Sequence, residues 1–454
     1  MSEASKRIVI IGLGTGGLHA IRSAQRQDRG VYITVIERRS YDMFSPCGLP
    51  YAVGKRVESF EALKHTIPST RKLKKLLRHE AKQIDLNNRL VSVENLETGE
   101  QLQIPYDSLI LATGSKPTTL DIPGASELFG KGVHVVSNPE NARALQEHAL
   151  RSRRAVVVGG GAIGLELASA LKSLGLEVII TKRSLPPFPR NLDPDMGEVV
   201  RDFILSKGCQ ILFGEDIERI NGTEKVESAV IGGKIIETDI VIMAVGVEPE
   251  IRLAEEAGIR IENGAIWTNT RMETSVPGVY AVGECALTFS GVDGSKTKID
   301  LATTAFRQAV VGGTNAAGGD AVFPGALGTF VSFIGDLEVA STGFNSEVAK
   351  SRGIEVVTGK AKLGGTPSWM PDSKEVTVKI VAEAGTGRII GGQAVGEKGA
   401  AWRVNMIALA VRNRITLRDF SSVELAYCPA VSELYDPLLA AVDVAIQRSS
   451  SKNL

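Results

Sequence analysis

Short aliphatic runs separated by a helical segment open the chain. Residues 7–11 (RIVII) predict a buried strand, and residues 31–37 (VYITVIE) predict the next one. Between them, residues 12–17 (GLGTGG) match GxGxxG and begin a predicted helix over residues 16–26. The first glycine permits a tight turn, the second lets a pyrophosphate approach, and the third allows close helix–strand packing. Glu37 ends the second strand where an acid holds a ribose hydroxyl, so the pattern predicts a dinucleotide-binding βαβ unit.

The same pattern recurs at residues 155–181, with a second GxGxxG loop at residues 159–164. Lys182 and Arg183 end its second strand, where an acid would hold the 2′-hydroxyl of NAD. Cations suit the 2′-phosphate of NADPH, so we predict that NADPH is accepted and preferred. The alternative is that they are loop cations on a domain that prefers NADH. Two nucleotide folds imply two nucleotides, one permanent and one exchanging.

The rest of the chain predicts two further parts. Strands that end in glycine are predicted near residues 106–114, 239–246 and 276–284, and a helix over residues 301–317. From residue 322 the sequence becomes β-rich and then helical, which predicts an α+β domain with an interface role. The predicted fold class is α/β, with two Rossmann-like domains and a C-terminal α+β domain. The predicted limits are 1–117 and 251–321 for the first nucleotide domain, 118–250 for the second, 322–448 for the interface domain and 449–454 for a disordered tail.

Composition excludes several function classes. The 454 residues suffice for about three domains and carry 52 Lys+Arg and 52 Asp+Glu, so no net charge attracts nucleic acid or a membrane surface. No apolar run is long enough to span a bilayer, and the first residues lack a secretory apolar core. Four separated cysteines and five scattered histidines predict neither a disulfide framework nor a metal site. We expect a cytoplasmic protein.

One stretch carries the candidate chemistry: residues 44–51 (FSPCGLPY) hold a cysteine between small and rigid residues. The stretch follows the strand that ends at Glu37, and ligands bind at the carboxyl ends of such strands. We therefore interpret Cys47 as a redox thiol; the alternative is a small buried hydrophobe. Cys428 is interpreted as a packing residue, with a disulfide-resolving role as the alternative.

A basic stretch lies just downstream, over residues 66–82, and is rich in Lys and Arg. It is predicted to be helical. It is interpreted either as a solvated helix face or as a cradle for a phosphorylated thiol carrier.

Together these segments resemble the flavin-dependent pyridine nucleotide–disulfide oxidoreductases over nearly the whole chain. The resemblance rests on the two glycine loops, on ATG at 112–114, on VGE at 282–284 and on PCGLPY at 46–51. It is strongest to the single-cysteine branch, and within it to archaeal-type coenzyme A (CoA) disulfide and sulfur reductases. It implies a homodimer with shared active sites that uses FAD and NADPH or NADH. The implied reaction is reduction of CoA disulfide, CoA persulfide or polysulfide, with CoA as substrate or bound thiol.

The resemblance also implies roles for individual residues. For FAD it implies Gly12, Gly14, Thr15, Gly16, Gly17, Glu37, Arg38, Thr113, Gly114, Gly283, Glu284, Ala302 and Thr304. For the nicotinamide nucleotide it implies Gly159, Gly161, Ile163, Gly164, Lys182, Arg183 and Gly246. Arg26 and Ser45 would bind the substrate, Cys47 would be the redox cysteine, and Tyr427 would protonate the leaving thiolate or serve in packing.

Departures from the branch bear on the alternatives. Thr15 stands where the NADH oxidases and peroxidases carry a histidine, and Trp369 stands near a position where disulfide reductases often have a second tyrosine. One alternative function is an NAD(P)H oxidase that reduces O2 to peroxide or water. The other is an electron-transfer flavoprotein reductase that serves a protein partner and leaves Cys47 inert.

Overall fold

The computed structural model describes residues 5–183 and 186–451. The α-helices of these residues are α1 (Thr15–Gln27), α2 (Leu49–Val53), α3 (Pro139–Ala149), α4 (Ala162–Ser173), α5 (Pro194–Ser206), α6 (Arg252–Glu256), α7 (Ala302–Ala316), α8 (Ser346–Ser351), α9 (Ala400–Arg412), α10 (Leu417–Ser421) and α11 (Pro437–Ser451). Single 3₁₀ turns lie at Pro46–Gly48 and Glu61–Leu63.

The strands are mostly short. They are β1 (Arg7–Ile11), β2 (Tyr32–Glu37), β3 (Met43–Phe44), β4 (Lys64–His65), β5 (Leu73–Leu77), β6 (His79–Asp85), β7 (Leu90–Asn95), β8 (Gln101–Pro105), β9 (Ser108–Leu111), β10 (Ser115–Pro117), β11 (Val133–His134), β12 (Arg154–Val158), β13 (Glu177–Lys182), β14 (Gln210–Phe213), β15 (Ile217–Asn221), β16 (Ser228–Ile231), β17 (Lys234–Glu237), β18 (Ile240–Met243), β19 (Val247–Pro249), β20 (Ile261–Glu262), β21 (Ala265–Ile266), β22 (Val279–Ala281), β23 (Thr288–Phe289), β24 (Lys296–Thr297), β25 (Phe330–Ile334), β26 (Leu337–Gly343), β27 (Val356–Gly364), β28 (Glu375–Glu383) and β29 (Ile389–Gly396).

The chain divides into two compact units, each assembled from separate segments. The first unit comprises residues 1–47, 59–116 and 247–326, and the second comprises residues 48–58, 117–246 and 327–454. The domain limits expected from the sequence stay a prediction.

A five-stranded parallel sheet of order β22-β9-β1-β2-β5 forms the centre of the first unit. Its aliphatic strands are buried, as a parallel sheet covered on both faces requires. Helix α1 follows β1 as predicted and packs against α7, where Gly313 lets the two backbones approach closely. The predicted βαβ element is therefore confirmed.

The second unit contains a parallel sheet of the same kind, of order β11-β18-β12-β13-β14. It also contains an antiparallel sheet of order β25-β26-β29-β28-β27, packed against α9 and α11. Arg403 of α9 and Asp436, just before α11, form a buried ion pair with 2.7 Å between Nη2 and Oδ2. The predicted fold class, Rossmann-like parallel sheets with a C-terminal α+β part, is confirmed.

The prediction of a basic helix over residues 66–82 was wrong. Residues 73–77 form β5, which pairs in parallel with β2, and residues 79–85 form β6, which pairs with β7. Arg78 joins the two strands in the left-handed conformation, with φ +56°. Pairing with the open edge of β2 overrides the local helix propensity of the lysine- and leucine-rich run.

The prediction of a disordered tail from residue 449 was wrong for residues 449–451, which continue α11; residues 452–454 lie outside the described residues. The hydroxyl of Ser450 donates to the carbonyl of Ile446 one turn earlier, which satisfies an acceptor at the helix end. Within the described residues, no helix is both long enough and apolar enough to cross a membrane.

Candidate active site

The first glycine loop connects the end of β1 to the start of α1. Gly12 has φ +98°, and a Cβ there would lie 2.3 Å from the carbonyl oxygen of Ala112. A Cβ on Gly17 would lie 2.1 Å from the carbonyl oxygen of Gly12. Gly14, the N-cap of α1, has no atom within 4 Å of its Cβ position. The loop is therefore packed tightly against its own sheet at two glycines and open at the third.

Glu37 is buried at the end of β2 and is bound to protein groups. Its Oε2 accepts from the amide of Leu13 at 2.8 Å, and both carboxylate oxygens accept from the Arg39 guanidinium at 2.7 and 2.9 Å. Burial by itself raises the pKa of this carboxyl, but the hydrogen bonds and charge of Arg39 outweigh it and hold the pKa below its usual range. Arg38, which the resemblance implies for FAD, is exposed and lies 3.6 Å from Glu80, and its cofactor role stays a prediction. The adjacent arginines could not be distinguished in the sequence.

Other strand ends of the first unit meet the glycine loop. Gly16 lies against Val282 after β22, with its Cβ position 3.4 Å from Val282, next to Gly283 and Glu284. The hydroxyl of Thr113 donates to the carbonyl of Glu250 at 2.6 Å. Thus the ends of β1, β9 and β22 bring together the predicted residues of all three segments.

Glu284 is half-buried and accepts a hydrogen bond from the Ser115 hydroxyl. Burial raises the pKa of its carboxyl, and Asp300 raises it further. Gly114, one residue before Ser115, has φ +71° and an open Cβ position. Of the two predicted residues at the start of α7, Thr304 is buried and Ala302 is exposed.

Cys47 lies in the 3₁₀ turn Pro46–Gly48, is exposed, and is the last residue of this segment of the first unit. Its exposure rules out the alternative of a buried packing residue. By contrast, Cys209 and Cys285 are buried, and burial raises the pKa of both thiols. Cys428 is exposed and belongs to the second unit.

The segment that leads to Cys47 is anchored by an ion pair that the sequence did not reveal. Lys75 Nζ lies 2.6 and 2.7 Å from the two carboxylate oxygens of Asp42, and both side chains are largely buried, at 11% and 5% exposure. Asp42 also accepts from the amide of Ile67, and Lys75 donates to the carbonyl of Ile67. Lys75 therefore has a structural role, connecting β5 to Asp42 and Ile67, and is not part of an exposed basic cradle.

Other cations, from the basic stretch and from α1 itself, lie near the end of α1. Lys72 Nζ donates to the carbonyl of Arg29 at 2.9 Å, and Arg26 is exposed in the last turn of α1. Next to them is a surface depression of about 310 Å³, lined by Gln25, Arg29, Val31, Thr70, Arg71 and Lys72. This depression offers positive charge to an anionic ligand.

The second glycine loop, between β12 and α4, repeats the geometry of the first. A Cβ on Gly159 would lie 2.2 Å from the carbonyl oxygen of Ala244, and one on Gly164 would lie 2.5 Å from the carbonyl oxygen of Gly159. Gly161 is open, as is Gly246 after β18. The side chain of Ile163, in the first turn of α4, is exposed.

The two cations at the end of β13 differ in position. Lys182 passes over Gly160, where a Cβ would lie 2.5 Å from its Cδ, and its Nζ donates to the carbonyl of Pro186 at 3.0 Å. Burial lowers the pKa of this ammonium group. Arg183 is exposed. Of these two cations, Arg183 is the one with the exposed side chain.

Tyr427 lies in an exposed turn of the second unit, closed by the amide of Cys428, which donates to the Ser432 hydroxyl. Its side chain is 46% exposed, and Val431 and Leu434 nearby are each 69% exposed. These exposed side chains lie close together in the sequence of the second unit.

Most of the chain matches a known protein family. Residues 6–309 match the family model described as pyridine nucleotide-disulphide oxidoreductase. The chain belongs to this family. Residues 330–438 match the dimerisation domain of the same family. Membership confirms the predicted enzyme class, a flavin oxidoreductase of pyridine nucleotides and disulfides, and it implies FAD and NAD(P)H.

Relatives resemble the chain over its full length. It is 34% identical over 453 residues to a protein named NADH oxidase from Methanocaldococcus jannaschii. This alignment covers 98% of the chain and 100% of the relative. It is 32% identical over 450 residues to the NAD(P)H sulfur oxidoreductase (CoA-dependent) of Pyrococcus abyssi, covering 97% and 98%. Among solved structures, an NAD-dependent persulfide reductase from A. fulgidus superposes with a TM-score of 0.93 and 32% identity, covering 98% of this chain and 84% of that one.

The residues of the first unit fit the FAD that the family implies. Gly14 and Gly114 leave open backbone, whereas Gly12 and Gly17 are packed too tightly to admit a side chain. A phosphate at the first turn of α1 would meet helix amides and no acidic side chain, because this turn contains none.

The open and packed glycines of this loop predict different defects. Gly14→Ala should fold normally but bind FAD several-fold more weakly, because the methyl group would enter the space left for a phosphate. Gly17→Ala should destabilise the apoprotein itself, because its Cβ would collide with the Gly12 carbonyl. Flavin absorbance per protein and thermal melting of the apoproteins separate the two effects. Normal flavin content in Gly14→Ala would contradict this assignment.

The Asp42–Lys75 pair predicts a large stability difference between neighbouring lysines. Lys75→Met should lower the free energy of unfolding by about 3–5 kcal/mol, because it leaves a buried carboxylate unpaired. Lys74→Met, at an exposed position on the same strand, should change it by less than about 0.5 kcal/mol. Urea unfolding of the two variants makes the comparison, and equal stabilities would show that the ion pair does not anchor this segment.

Proposed function

We propose that this chain is an FAD-dependent NAD(P)H oxidoreductase that reduces CoA disulfide, or CoA persulfide and polysulfide, through Cys47. The observation that carries the proposal is the exposure of Cys47 in the unit that contains the first glycine loop. The relative from Pyrococcus abyssi, named a CoA-dependent sulfur oxidoreductase, supports the same substrate class.

FAD would be held by the first glycine loop, Thr113, Gly114 and the segment 283–284, with Thr304 and Ala302 at the start of α7. When bound, FAD accepts a hydride from NAD(P)H and passes two electrons on to sulfur. Glu37 contributes in two ways. Its ion pair with Arg39 rigidifies the end of β2, and its carboxylate accepts a hydrogen bond from the amide of Leu13.

Cys47 supplies the nucleophile, and the thiolate is its reactive form. The thiolate attacks one sulfur of CoA disulfide, the substrate S–S bond breaks, and one CoA leaves. The other CoA remains on Cys47 as a mixed disulfide. Two electrons then split this bond into the Cys47 thiolate and a second CoA thiolate. One cysteine suffices because the substrate brings the second sulfur.

The phosphates of CoA require cations. Candidates in the same unit as Cys47 are Arg26 and the depression lined by Arg29, Arg71 and Lys72, at the edge of the sheet where β2 and β5 begin. Ser45, two residues before Cys47, is a substrate contact in this proposal. Lys75 is excluded from this role because Asp42 neutralises it.

A homodimer with shared active sites is part of the proposal. The match to the family's dimerisation domain and the exposed apolar residues Val431 and Leu434 support it. In this arrangement Tyr427 reaches the partner subunit's active site from its exposed turn.

NAD(P)H oxidase activity is the second candidate function. The relative from Methanocaldococcus jannaschii, which is named NADH oxidase, favours it. Thr15 disfavours it, because the oxidases of the branch carry histidine there.

Replacing the redox cysteine tests the function directly. Anaerobically, CoA disulfide should stimulate NADPH oxidation by the wild-type holoenzyme. Cys47→Ser should keep FAD and dye reduction but lose this stimulation, whereas Cys428→Ser should retain it. Turnover that requires oxygen instead of CoA disulfide would favour the oxidase, and disulfide turnover by Cys47→Ser would refute the nucleophile.

Arg183 is proposed to recognise the 2′-phosphate of NADPH, because Lys182 already donates to Pro186. Arg183→Ala should raise the KM for NADPH about ten- to a hundredfold, the loss expected for a hydrogen bond to a charged group, and leave the KM for NADH unchanged. Arg151→Ala, which removes another exposed arginine of the same unit, is the control. Equal changes for both coenzymes, or none, would contradict the proposal.

A further inference from the structure

A serine and a histidine are hydrogen-bonded immediately before the redox cysteine. The Ser45 hydroxyl and His65 Nε2 are 2.8 Å apart. Met43 pairs with His65 in the β3–β4 ladder, and the amide of Ser45 donates to the carbonyl of Leu63 at 2.8 Å. The backbone thus fixes both partners, and Ser45 is two residues from Cys47.

The charged groups around this pair are bound to one another. Lys64 pairs with Glu61 and lies 4.5 Å from the centre of the Tyr41 ring. Asp42 is neutralised by Lys75. Arg39 binds Glu37 and covers the Phe44 ring. The imidazole of His65 makes its hydrogen bond to the Ser45 hydroxyl.

This pair has a chemical use in the proposed reaction, on which the inference rests. Attack by Cys47 releases a CoA thiolate, an alkyl thiolate whose departure is assisted by a proton donor. Imidazole exchanges protons near neutral pH, and a serine hydroxyl both accepts and donates a hydrogen bond. A protonated His65 would donate from Nε2 to the Ser45 oxygen, which leaves the hydroxyl proton directed elsewhere.

We propose that His65 acts through Ser45 as the proton source for the leaving thiolate. The substrate S–S bond breaks, Cys47 bonds to one half, and the other half leaves with the Ser45 hydroxyl proton. Ser45 recovers its proton from the His65 imidazolium, which is reprotonated from water. The two electrons that later free Cys47 come from NAD(P)H. His65 is a positioning residue in this scheme, and Ser45 contacts the reacting group.

The test compares two disulfides in the holoenzyme variants His65→Gln and Ser45→Ala. With CoA disulfide, kcat/KM should fall about a hundredfold in both. With a nitroaryl disulfide, whose weakly basic thiolate leaves unprotonated, the rates should fall less than threefold. His79→Gln, which changes a histidine of strand β6 in the same unit, is the control and should behave as wild type.

Each other outcome is informative. Equal losses with both disulfides would mean that the pair only supports the Cys47 segment, and no loss with either would mean that it has no part in the reaction; both results overturn the inference. They leave the proposed function intact, because the wild-type arm with CoA disulfide tests that function separately. A wild-type enzyme that reduces neither disulfide would overturn both.

Discussion

Close contact between backbone segments at the strand ends is the constraint on which the structure depends. Where β1 turns into α1, Gly12 lies so close to the Ala112 carbonyl that no side chain can be accommodated. The second unit repeats the contact between Gly159 and Ala244. In both units, this packing leaves the glycine just before the helix open, Gly14 in the first and Gly161 in the second. The expected nucleotide sites therefore depend on close packing between the glycine loops and the neighbouring strand ends.

The segment around Cys47 is held in place differently, by ion pairs between buried or largely buried side chains. The Asp42–Lys75 pair connects the segment before Cys47 to β5. The Glu37–Arg39 pair joins the last residue of β2 to the residues that follow it. Such pairs contribute little net stability but are costly to break, so they define a geometry more than they strengthen the fold. Cys47 and the Ser45–His65 pair are the reactive groups of the proposed reaction. The exposed cations beside α1 remain for an anionic ligand.

The sequence predicted those features that depend on local pattern. The glycine spacing and the aliphatic runs predicted both βαβ elements, because a tight turn and a buried parallel strand each need particular residues at fixed intervals. The predicted helix over residues 66–82 failed because pairing with β2 is a tertiary effect. The role of Lys75 was hidden for the same reason, since Asp42 is 33 residues away. Arg38 and Arg39 are indistinguishable as neighbours, and only the fold shows which one binds Glu37. His65 had no visible motif, because its partner Ser45 is 20 residues away in the sequence.

In the proposed reaction, Cys47 alone carries the substrate between the two half-reactions. Reduced, CoA-free protein should be treated with CoA disulfide under anaerobic conditions, digested, and searched for CoA adducts by mass spectrometry. The account predicts one adduct, on the peptide that contains Cys47, which disappears when NAD(P)H is added before digestion. An adduct on Cys428 instead, or an adduct on Cys47 that NAD(P)H does not remove, would contradict it.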